Sequence, residues 1–254
     1  MKDLKFILDG FEWSFSRINA YCTCPRMFYM SYIQCLDKTG NAFAEWGSFG
    51  HYILEKYFRK ELEFFELSNI YSSEYEGNVK ASFPPNPYVN LNHRYYDVGK
   101  EYFDTFEGLF EKAEILGVEE EIHINIDKYK FVGYIDLILR DDKGIIIVDH
   151  KSKSKFKSKK EKDEYLRQLY LYSIHIYEKY GEYPYMLVFN MFRANEIIEE
   201  KFDITAYELA KEWAVDTIEK IYKDMDFKSS QDDFFCNWLC SCNAHCACSD
   251  KYMG

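Results

Sequence analysis

The sequence predicts an α/β fold in which a helical N-terminal extension precedes a sheet. The first reason is that the spacing of apolar residues changes from a helical period near 3.6 to the strand period of 2 after residue 116. The second is the order of the predicted elements, namely helices, a hairpin sheet, a helix, two more strands and a last helix. The third is the run Ile145 to Val148, which is apolar on both faces and therefore predicts a central strand covered by helices.

The N-terminal part of the chain is predicted to be helical. Residues 13–34 are expected to form two short helices, because Pro25 suits the first turn of the second one. Apolar residues at helical spacing predict further helices over 44–65 and 95–116. Three of the five prolines lie between residues 66 and 94, so this stretch is expected to be an irregular connection.

The central part is predicted to contain three antiparallel strands. Ile122, Ile124 and Ile126 alternate with polar residues, and turns at 127–128 and 141–144 separate the strands. The elements expected after them are a helix over 161–180, strands over 185–193 and 197–203, and a helix to Asp224 that Thr205 and Glu208 would cap.

Composition and charge exclude several classes of protein. The 254 residues are 47% hydrophobic and 30% charged, which is typical of a globular chain and not of a disordered or collagen-like one. The net charge of −11 argues against a protein that coats nucleic acid with its whole surface, so any such contact needs a local patch. No apolar stretch approaches the roughly 18 residues of a membrane span, and the N-terminus lacks a secretory signal. We therefore expect a cytoplasmic protein without a membrane partner.

The central motif is a pair of acidic residues on neighbouring predicted strands. A symmetric turn at 141–144 pairs residues whose numbers sum to 285, so Asp136 should face Asp149. Two carboxylates at this spacing repel each other unless a cation lies between them. The strand period places Lys151 on the same face, whereas His150 points away and offers only its backbone carbonyl.

This set predicts a Mg²⁺ or Mn²⁺ site beside an ammonium group that can orient an attacking water or stabilise a phosphate in its transition state. The alternative is two exposed aspartates at strand ends with an ordinary surface lysine. The position of Asp149 at the end of an apolar strand favours the metal site, because a charge there is costly without a partner.

Five short motifs, in the same order along the chain, resemble those of the PD-(D/E)xK nuclease superfamily and specifically its RecB-like branch. They are C-P-R at 24–26 with the C-terminal cysteines, G-S-F-G-H at 47–51, G-Y-I-D at 133–136, V-D-H-K at 148–151 and Q-L-Y-L-Y at 168–172. The first is similar to the iron–sulfur members, among them CRISPR-associated exonucleases and the AddB nuclease domain. The resemblance implies a restriction-endonuclease-like core, with a mixed central sheet flanked by helices, and a C-terminal metal-cluster region.

The resemblance also divides the chain into three regions, which we expect to form one compact unit. Residues 1–118 would be a helical region carrying the histidine motif and one cluster cysteine. Residues 119–204 would be the nuclease core, and residues 205–254 would hold a helix and the remaining cluster cysteines.

The resemblance assigns roles to individual residues as well. It implies that the catalytic metal is bound by His51, Asp136, Asp149 and the carbonyl of His150. It implies that Lys151 assists the attacking water, and that Gln168 and Tyr172, four residues apart on one helix face, orient this lysine or the DNA backbone. An acidic residue before the first strand is typical of the branch. Glu119 is favoured for this role, although three successive glutamates could equally be a solvated strand entrance.

The eight cysteines are unevenly distributed, with five of them in residues 236–248. In a reducing compartment grouped cysteines more often bind metal than form disulfides. The array Cys236-x3-Cys240-x5-Cys246 lacks the paired spacing of a zinc ribbon and needs a fourth ligand, which by resemblance is Cys24. Four thiolates suit either zinc or a [4Fe–4S] cluster, and the resemblance favours iron–sulfur in a structural role. The remaining cysteines are Cys22, Cys242 and Cys248, which could substitute as ligands, and Cys35, which is expected to be a buried thiol.

A strongly basic segment follows the acidic pair. Residues 151–162 contain seven lysines and one glutamate, a local charge of +6. Such a loop beside a metal site can hold a DNA backbone through contacts that weaken with salt, and aromatic side chains could stack single-stranded bases. The alternative is a solvated loop kept mobile by its own repulsion. The candidate DNA contacts are Lys153, Lys155, Lys157, Lys159 and Lys160.

Taken together, these features predict a metal-dependent deoxyribonuclease, specifically an exonuclease acting on single-stranded or frayed DNA. The pathway would be CRISPR adaptation, phage recombination or repair, with CRISPR integration or recombination proteins as partners. Two alternatives stay open at this point. One is a non-catalytic DNA-binding or assembly subunit with the same fold and cluster, and the other is a zinc-stapled protein-interaction domain.

Overall fold

The computed structural model describes residues 2–253 and contains a five-stranded mixed sheet. The strands are β1 Glu114–Ile126, β2 Tyr129–Asp141, β3 Gly144–His150, β4 Met186–Met191 and β5 Glu196–Lys201. They lie side by side in chain order. The pairs β2–β3 and β4–β5 are antiparallel, whereas β3 and β4 are parallel. The predicted mixed α/β fold is therefore confirmed, and it is consistent with the expected restriction-endonuclease-like core.

Helices precede the sheet, connect β3 to β4, and follow β5. Their bounds are α1 Lys2–Asp9, α2 Phe15–Thr23, α3 Pro25–Phe28, α4 Ala42–Phe58, α5 Leu67–Asn78, α6 Leu91–Thr105, α7 Lys159–Tyr180 and α8 Ile204–Lys223. The two short helices predicted within 13–34 are α2 and α3, and the helix predicted over 161–180 is α7. None of the helices that the structure describes combines the length and the apolar character of a membrane span.

Strand β3 lies at the centre of the sheet, as predicted. Its apolar run Ile145–Val148 is completely buried. The register pairs Leu137 with Val148 and Arg140 with Ile145, as a symmetric turn predicts. A parallel pair requires a crossover connection, and the one between β3 and β4 contains α7. The polar residues that end β3 are therefore flanked by β2 on one side and β4 on the other.

The stretch 66–94 differs from its prediction, because its first half is helix α5 and not an irregular connection. Leu67, Tyr71 and Tyr75 are spaced four residues apart and form the buried stripe of this helix. The prolines affect only the second half of the stretch. Proline content therefore misled the prediction where the spacing of the apolar residues was informative.

Two further boundaries also differ from the prediction. Helix α6 ends at Thr105 and not near residue 116, and Gly108 adopts a φ of +97°, which a helix does not contain. At the start of α8 the side chain of Asp203 accepts a hydrogen bond from the backbone N–H of Ala206. This aspartate therefore takes the capping position that Thr205 was expected to occupy.

The chain divides into two compact units that are each discontinuous in sequence. One unit contains the residues up to Asn41, His123–Gly133, and the residues from Glu208 onward, and it holds all of the cysteines. The other contains Ala42–Ile122 and Tyr134–Tyr207, and it holds the histidine, aspartate, lysine and glutamine motifs. The three consecutive regions expected from the sequence stay a prediction.

Candidate active site

Three side chains from three different elements meet in the second unit. His51 on α4, Glu119 on β1 and Asp136 on β2 each offer a ligand atom, and these atoms lie within 4.8 Å of one another. The Nδ1 atom of His51 is 3.5 Å from Oδ2 of Asp136. Among the side chains that the structure describes, this is the one group of three or more histidine, cysteine or acidic residues with such spacing.

Glu119 reaches this group through an unusual backbone conformation. Its φ is +46°, a left-handed value that costs a residue with a side chain roughly 1–2 kcal/mol. Such a residue interrupts the alternation of a strand and turns its side chain out of register. The next residue, Glu120, faces a different environment and forms ion pairs with Lys179 at 2.5 Å and with His175 at 2.7 Å. Strand alternation already places consecutive residues on opposite faces, so what the sequence does not predict is the left-handed conformation of Glu119.

Burial and neighbouring charges shift the pKa values of all three side chains of this group. Burial, followed by the charge of Asp149, raises the pKa of Asp136 well above its ordinary range. Burial, followed by the charge of Asp136, raises the pKa of Glu119 to about 7. Burial lowers the pKa of His51, which favours the neutral imidazole that can bind a metal. Crowded carboxylates of this kind are stabilised by a cation.

Asp149 and Lys151 form a buried pair beside this group. Nζ of Lys151 lies 2.6 Å from Oδ2 of Asp149, and both side chains are largely buried. This ion pair is not aligned as a hydrogen bond, so Oδ2 of Asp149 has no hydrogen-bond partner within the described part of the chain. An oxygen of this kind has a lone pair available for a further positive ligand.

Helix α7 holds the other side of the lysine. Lys151 donates a hydrogen bond from Nζ to Oε1 of Gln168 at 3.2 Å, and Gln168 donates from Nε2 to the hydroxyl of Tyr172 at 3.1 Å. The spacing of four residues places both side chains on one helix face, as expected from the sequence. The structure therefore brings Lys151, Gln168 and Tyr172 into one hydrogen-bonded chain, while their roles stay predictions.

The imidazole of His150 lies edge-on to the ring of His51 with the ring centroids 5.7 Å apart, and its backbone N–H donates a 2.7 Å hydrogen bond to Oδ2 of Asp136. The buried imidazole is parallel to the ring of Phe58 at 5.8 Å, and its Nδ1 atom lies 3.0 Å from Nδ2 of Asn190. The same amide nitrogen donates to the hydroxyl of Tyr102 at 2.8 Å. Sequence reasoning missed Asn190, although a polar residue in the apolar strand M-L-V-F-N-M is a signal of a buried hydrogen-bond network.

A divalent cation fits this site by three observations. Two of the three donors are carboxylate oxygens, which suit Mg²⁺ or Mn²⁺. A buried oxygen of Asp149 lacks a hydrogen-bond partner, and the pKa values of Asp136 and Glu119 are raised. A surface cavity of about 460 Å³ is lined by His51, Glu119 and Ser152, so two of the three donor side chains face a solvent-accessible space.

The basic segment after Lys151 is only partly available to a ligand. Lys153 is half-buried and forms an ion pair with Glu161 at 2.7 Å. The candidate DNA contacts that remain exposed are Lys155, Lys157, Lys159 and Lys160. The start of the segment is therefore tied to α7, whereas most of its other lysines face solvent.

The cysteines lie in the first unit and form no disulfide. The four proposed ligands, Cys24, Cys236, Cys240 and Cys246, are all buried, and so is Cys242. Burial raises the pKa of the Cys240 thiol to about 12. Cys22, Cys35 and Cys248 are exposed, so the prediction of a buried Cys35 is wrong.

Within the described residues, no three cysteine sulfurs lie within 4.8 Å of one another, so the set of four cluster ligands stays a prediction.

Comparison with models of known protein families identifies a family for this chain. A family model described as the PD-(D/E)XK nuclease superfamily matches residues 12–249, which is most of the chain. No curated protein matches the sequence.

Proposed function

The chain belongs to the PD-(D/E)XK nuclease superfamily, whose members are generally metal-dependent nucleases, and from this premise we propose that it is an exonuclease that hydrolyses DNA. The substrate would be single-stranded or frayed DNA. The observation that carries the proposal is the convergence of His51, Glu119 and Asp136 beside the buried Asp149–Lys151 pair. A scaffold protein has no need of this combination.

Different side chains of the site can perform different parts of phosphodiester hydrolysis. A divalent ion held by His51, Asp136, Asp149 and the His150 carbonyl, with Glu119 close enough to join them, would supply positive charge to the phosphate and lower the pKa of water. The Lys151 ammonium can donate hydrogen bonds to the attacking water or to a phosphate oxygen. Asp149 and Gln168 hold that ammonium from two sides, which fixes its position before the substrate arrives.

The exposed lysines after β3 support DNA as the substrate class. Lys155, Lys157, Lys159 and Lys160 lie in the segment that begins directly after the Lys151 motif, and phosphate contacts from such residues are independent of base sequence. The chain as a whole has a net charge of −11, so DNA would be repelled elsewhere and these four lysines would determine where it binds. The proposed pathways are CRISPR adaptation, phage recombination and repair, with integration or recombination proteins as partners.

The cysteines extend the proposal to a [4Fe–4S] cluster held by Cys24, Cys236, Cys240 and Cys246. Its support is the burial of all four thiols and the resemblance of the cysteine motif to that of iron–sulfur members of the superfamily. The cluster would be structural, since phosphodiester hydrolysis involves no redox step. Iron and sulfide analysis of anaerobically purified protein tests it, and zinc without iron would contradict it.

The nuclease proposal is tested with end-labelled single- and double-stranded DNA in Mg²⁺ or Mn²⁺. Asp149→Ala and Lys151→Ala should each abolish cleavage. The matched controls, Asp142→Ala and Lys143→Ala, remove the same side chains from the exposed turn at the other end of the same hairpin and should cleave normally. Cleavage by both site variants would overturn the proposal. DNA binding by the wild type without cleavage in any metal would instead favour a non-catalytic subunit.

A further inference from the structure

The basic segment after the catalytic motif, which we call the lysine loop and define as residues 152–160, contacts the rest of the protein at two places. Like charges at this density repel one another, and a loop without other contacts would be extended and mobile. The structure contains two anchors that oppose this repulsion, and neither of them is a lysine.

The first anchor is the carboxylate of Glu161, in the first turn of α7. One of its oxygens is 2.7 Å from Nζ of Lys153, and the other accepts a hydrogen bond from the backbone N–H of Lys157. One side chain therefore joins two points of the loop. Burial would raise the pKa of Glu161, but the bonds from Lys153 and Lys157 outweigh it and hold the pKa below its ordinary value.

The second anchor is apolar. The ring of Phe156, in the middle of the loop, lies 5.4 Å from the ring of Tyr165 on α7 and 5.1 Å from that of Phe189 on β4. Nζ of Lys153 lies over the ring of Tyr165 at 4.7 Å and also contacts its hydroxyl at 3.3 Å. The middle and the start of the loop are thus fixed to the same surface of the protein.

The anchors determine which lysines remain available. Lys153 forms an ion pair with Glu161 and is therefore not available to DNA. The side chains that remain exposed are those of Lys155, Lys157, Lys159 and Lys160. Helix α7 also carries Gln168, so the anchored loop and the Lys151 chain share one rigid element.

We propose that Glu161 is a positioning residue for DNA binding, which presets the lysine loop so that its four exposed lysines contact consecutive phosphates of a single strand. The inference rests on the proposed function, because it concerns the substrate of the same site. Its physical basis is that side chains and loops immobilised before binding do not have to be ordered during binding.

The inference makes a prediction opposite to that of simple electrostatics. Removal of a negative charge from a DNA-binding surface normally strengthens DNA binding. If Glu161 presets the loop, its neutralisation must weaken binding instead. The cap of α7 does not confuse this comparison, because the Ser158 hydroxyl accepts from the backbone N–H of residue 161 and this bond does not depend on the carboxylate.

The experiment compares Glu161→Gln with a charge-matched control, Asp163→Asn, in the full-length protein. Asp163 is exposed and lies two residues further along the same helix. The dissociation constant for a fluorescent single-stranded oligonucleotide is measured in EDTA, which prevents cleavage. We expect Glu161→Gln to bind about tenfold more weakly, equivalent to about 1.4 kcal/mol, and Asp163→Asn to bind as tightly as the wild type or slightly more tightly.

Two further measurements separate positioning from a general loss of structure. Phe156→Ala releases the second anchor without changing the charge, and it should also weaken binding. In the protein without DNA, Glu161→Gln should accelerate hydrogen exchange in the loop while β3 keeps its protection. If Glu161→Gln binds as tightly as Asp163→Asn, or if exchange in the loop does not change, the inference is wrong.

The result also distinguishes this inference from the nuclease proposal. If the wild type binds DNA but never cleaves it, the nuclease proposal fails and the dissociation constants still decide the role of Glu161. If the wild type cleaves DNA and the two variants bind equally, only the inference fails. If the wild type does not bind DNA at all, both are overturned.

Discussion

The buried pair of Asp149 and Lys151 makes a prediction about stability that does not depend on any assay of cleavage. Replacement of Lys151 by Met keeps most of the apolar stem but removes the ammonium that lies 2.6 Å from Oδ2 of Asp149. That oxygen has no hydrogen bond among the described residues, and the neighbouring Asp136 carboxyl, whose pKa is raised to about 8, supplies no positive charge to replace the ammonium. Lys151→Met therefore leaves a buried carboxylate without its cation.

Two arguments limit how much the Lys151→Met substitution can lower the free energy of unfolding. Removal of one partner from a buried ion pair typically costs about 3–5 kcal/mol. The cost cannot much exceed that of protonating the carboxylate, which is about 4 kcal/mol at pH 7 for an acid with an ordinary pKa near 3.9. We therefore expect a loss of about 3–4 kcal/mol in the free energy of unfolding, or roughly 6–16 °C in Tm for a chain of this size.

The assay is urea and thermal denaturation in EDTA at pH 7. The matched control is Lys228→Met, which breaks an exposed lysine–aspartate pair with Asp226 at 3.3 Å and should change stability little. The double variant Asp149→Asn/Lys151→Met removes both charges and should regain much of the loss, because no unpaired ion remains. Mn²⁺ should stabilise Lys151→Met more than it stabilises the wild type if Asp149 also binds the metal.

Two results would refute this reasoning. A Lys151→Met variant within about 1 kcal/mol of the wild type would show that Asp149 is not held as a buried ion. Equal loss in the single and double variants would show that the lysine acts through packing and not through charge.

Three other predictions concern different parts of the molecule. Tyr102→Phe removes a hydroxyl that contacts the buried amide of Asn190, and it should lower the free energy of unfolding by about 1–3 kcal/mol in urea denaturation. In chelator-treated protein, exposed Cys35 and Cys248 should react with a maleimide well before buried Cys240, as mass spectrometry of timed samples would measure. An increase in salt from 50 to 200 mM should weaken single-strand binding by about 50-fold if the four exposed lysines each contact a phosphate, and a much smaller change in the dissociation constant would contradict this.

The parts of the fold that follow from local sequence were predicted well. The β2–β3 register is set by a short turn and by alternation within one hairpin, so pairs such as Leu137 and Val148 could be inferred directly. Helix α5 was missed because its buried stripe consists mainly of tyrosines in a polar context, and its helical state depends on the core that covers them.

The candidate site was predictable in its residue types but not in its geometry. The motifs indicate which aspartates, histidine and lysine to examine, because metal and phosphate chemistry need those groups. They do not indicate that Glu119 adopts a φ of +46° or that Asn190 and Tyr102 support the imidazole of His150. These features depend on contacts between elements that are distant in the chain.

The sequence by itself determined the family, the central hairpin and the presence of a +6 segment beside an acidic pair. Only the tertiary structure decided that His51 from α4 reaches Asp136 on β2, and that the basic segment is anchored by Glu161 and Phe156. The physical reason is that turns and strand alternation are short-range properties of the chain. A cluster of charges, in contrast, is stabilised or destabilised by whichever groups the packing of the core brings next to it.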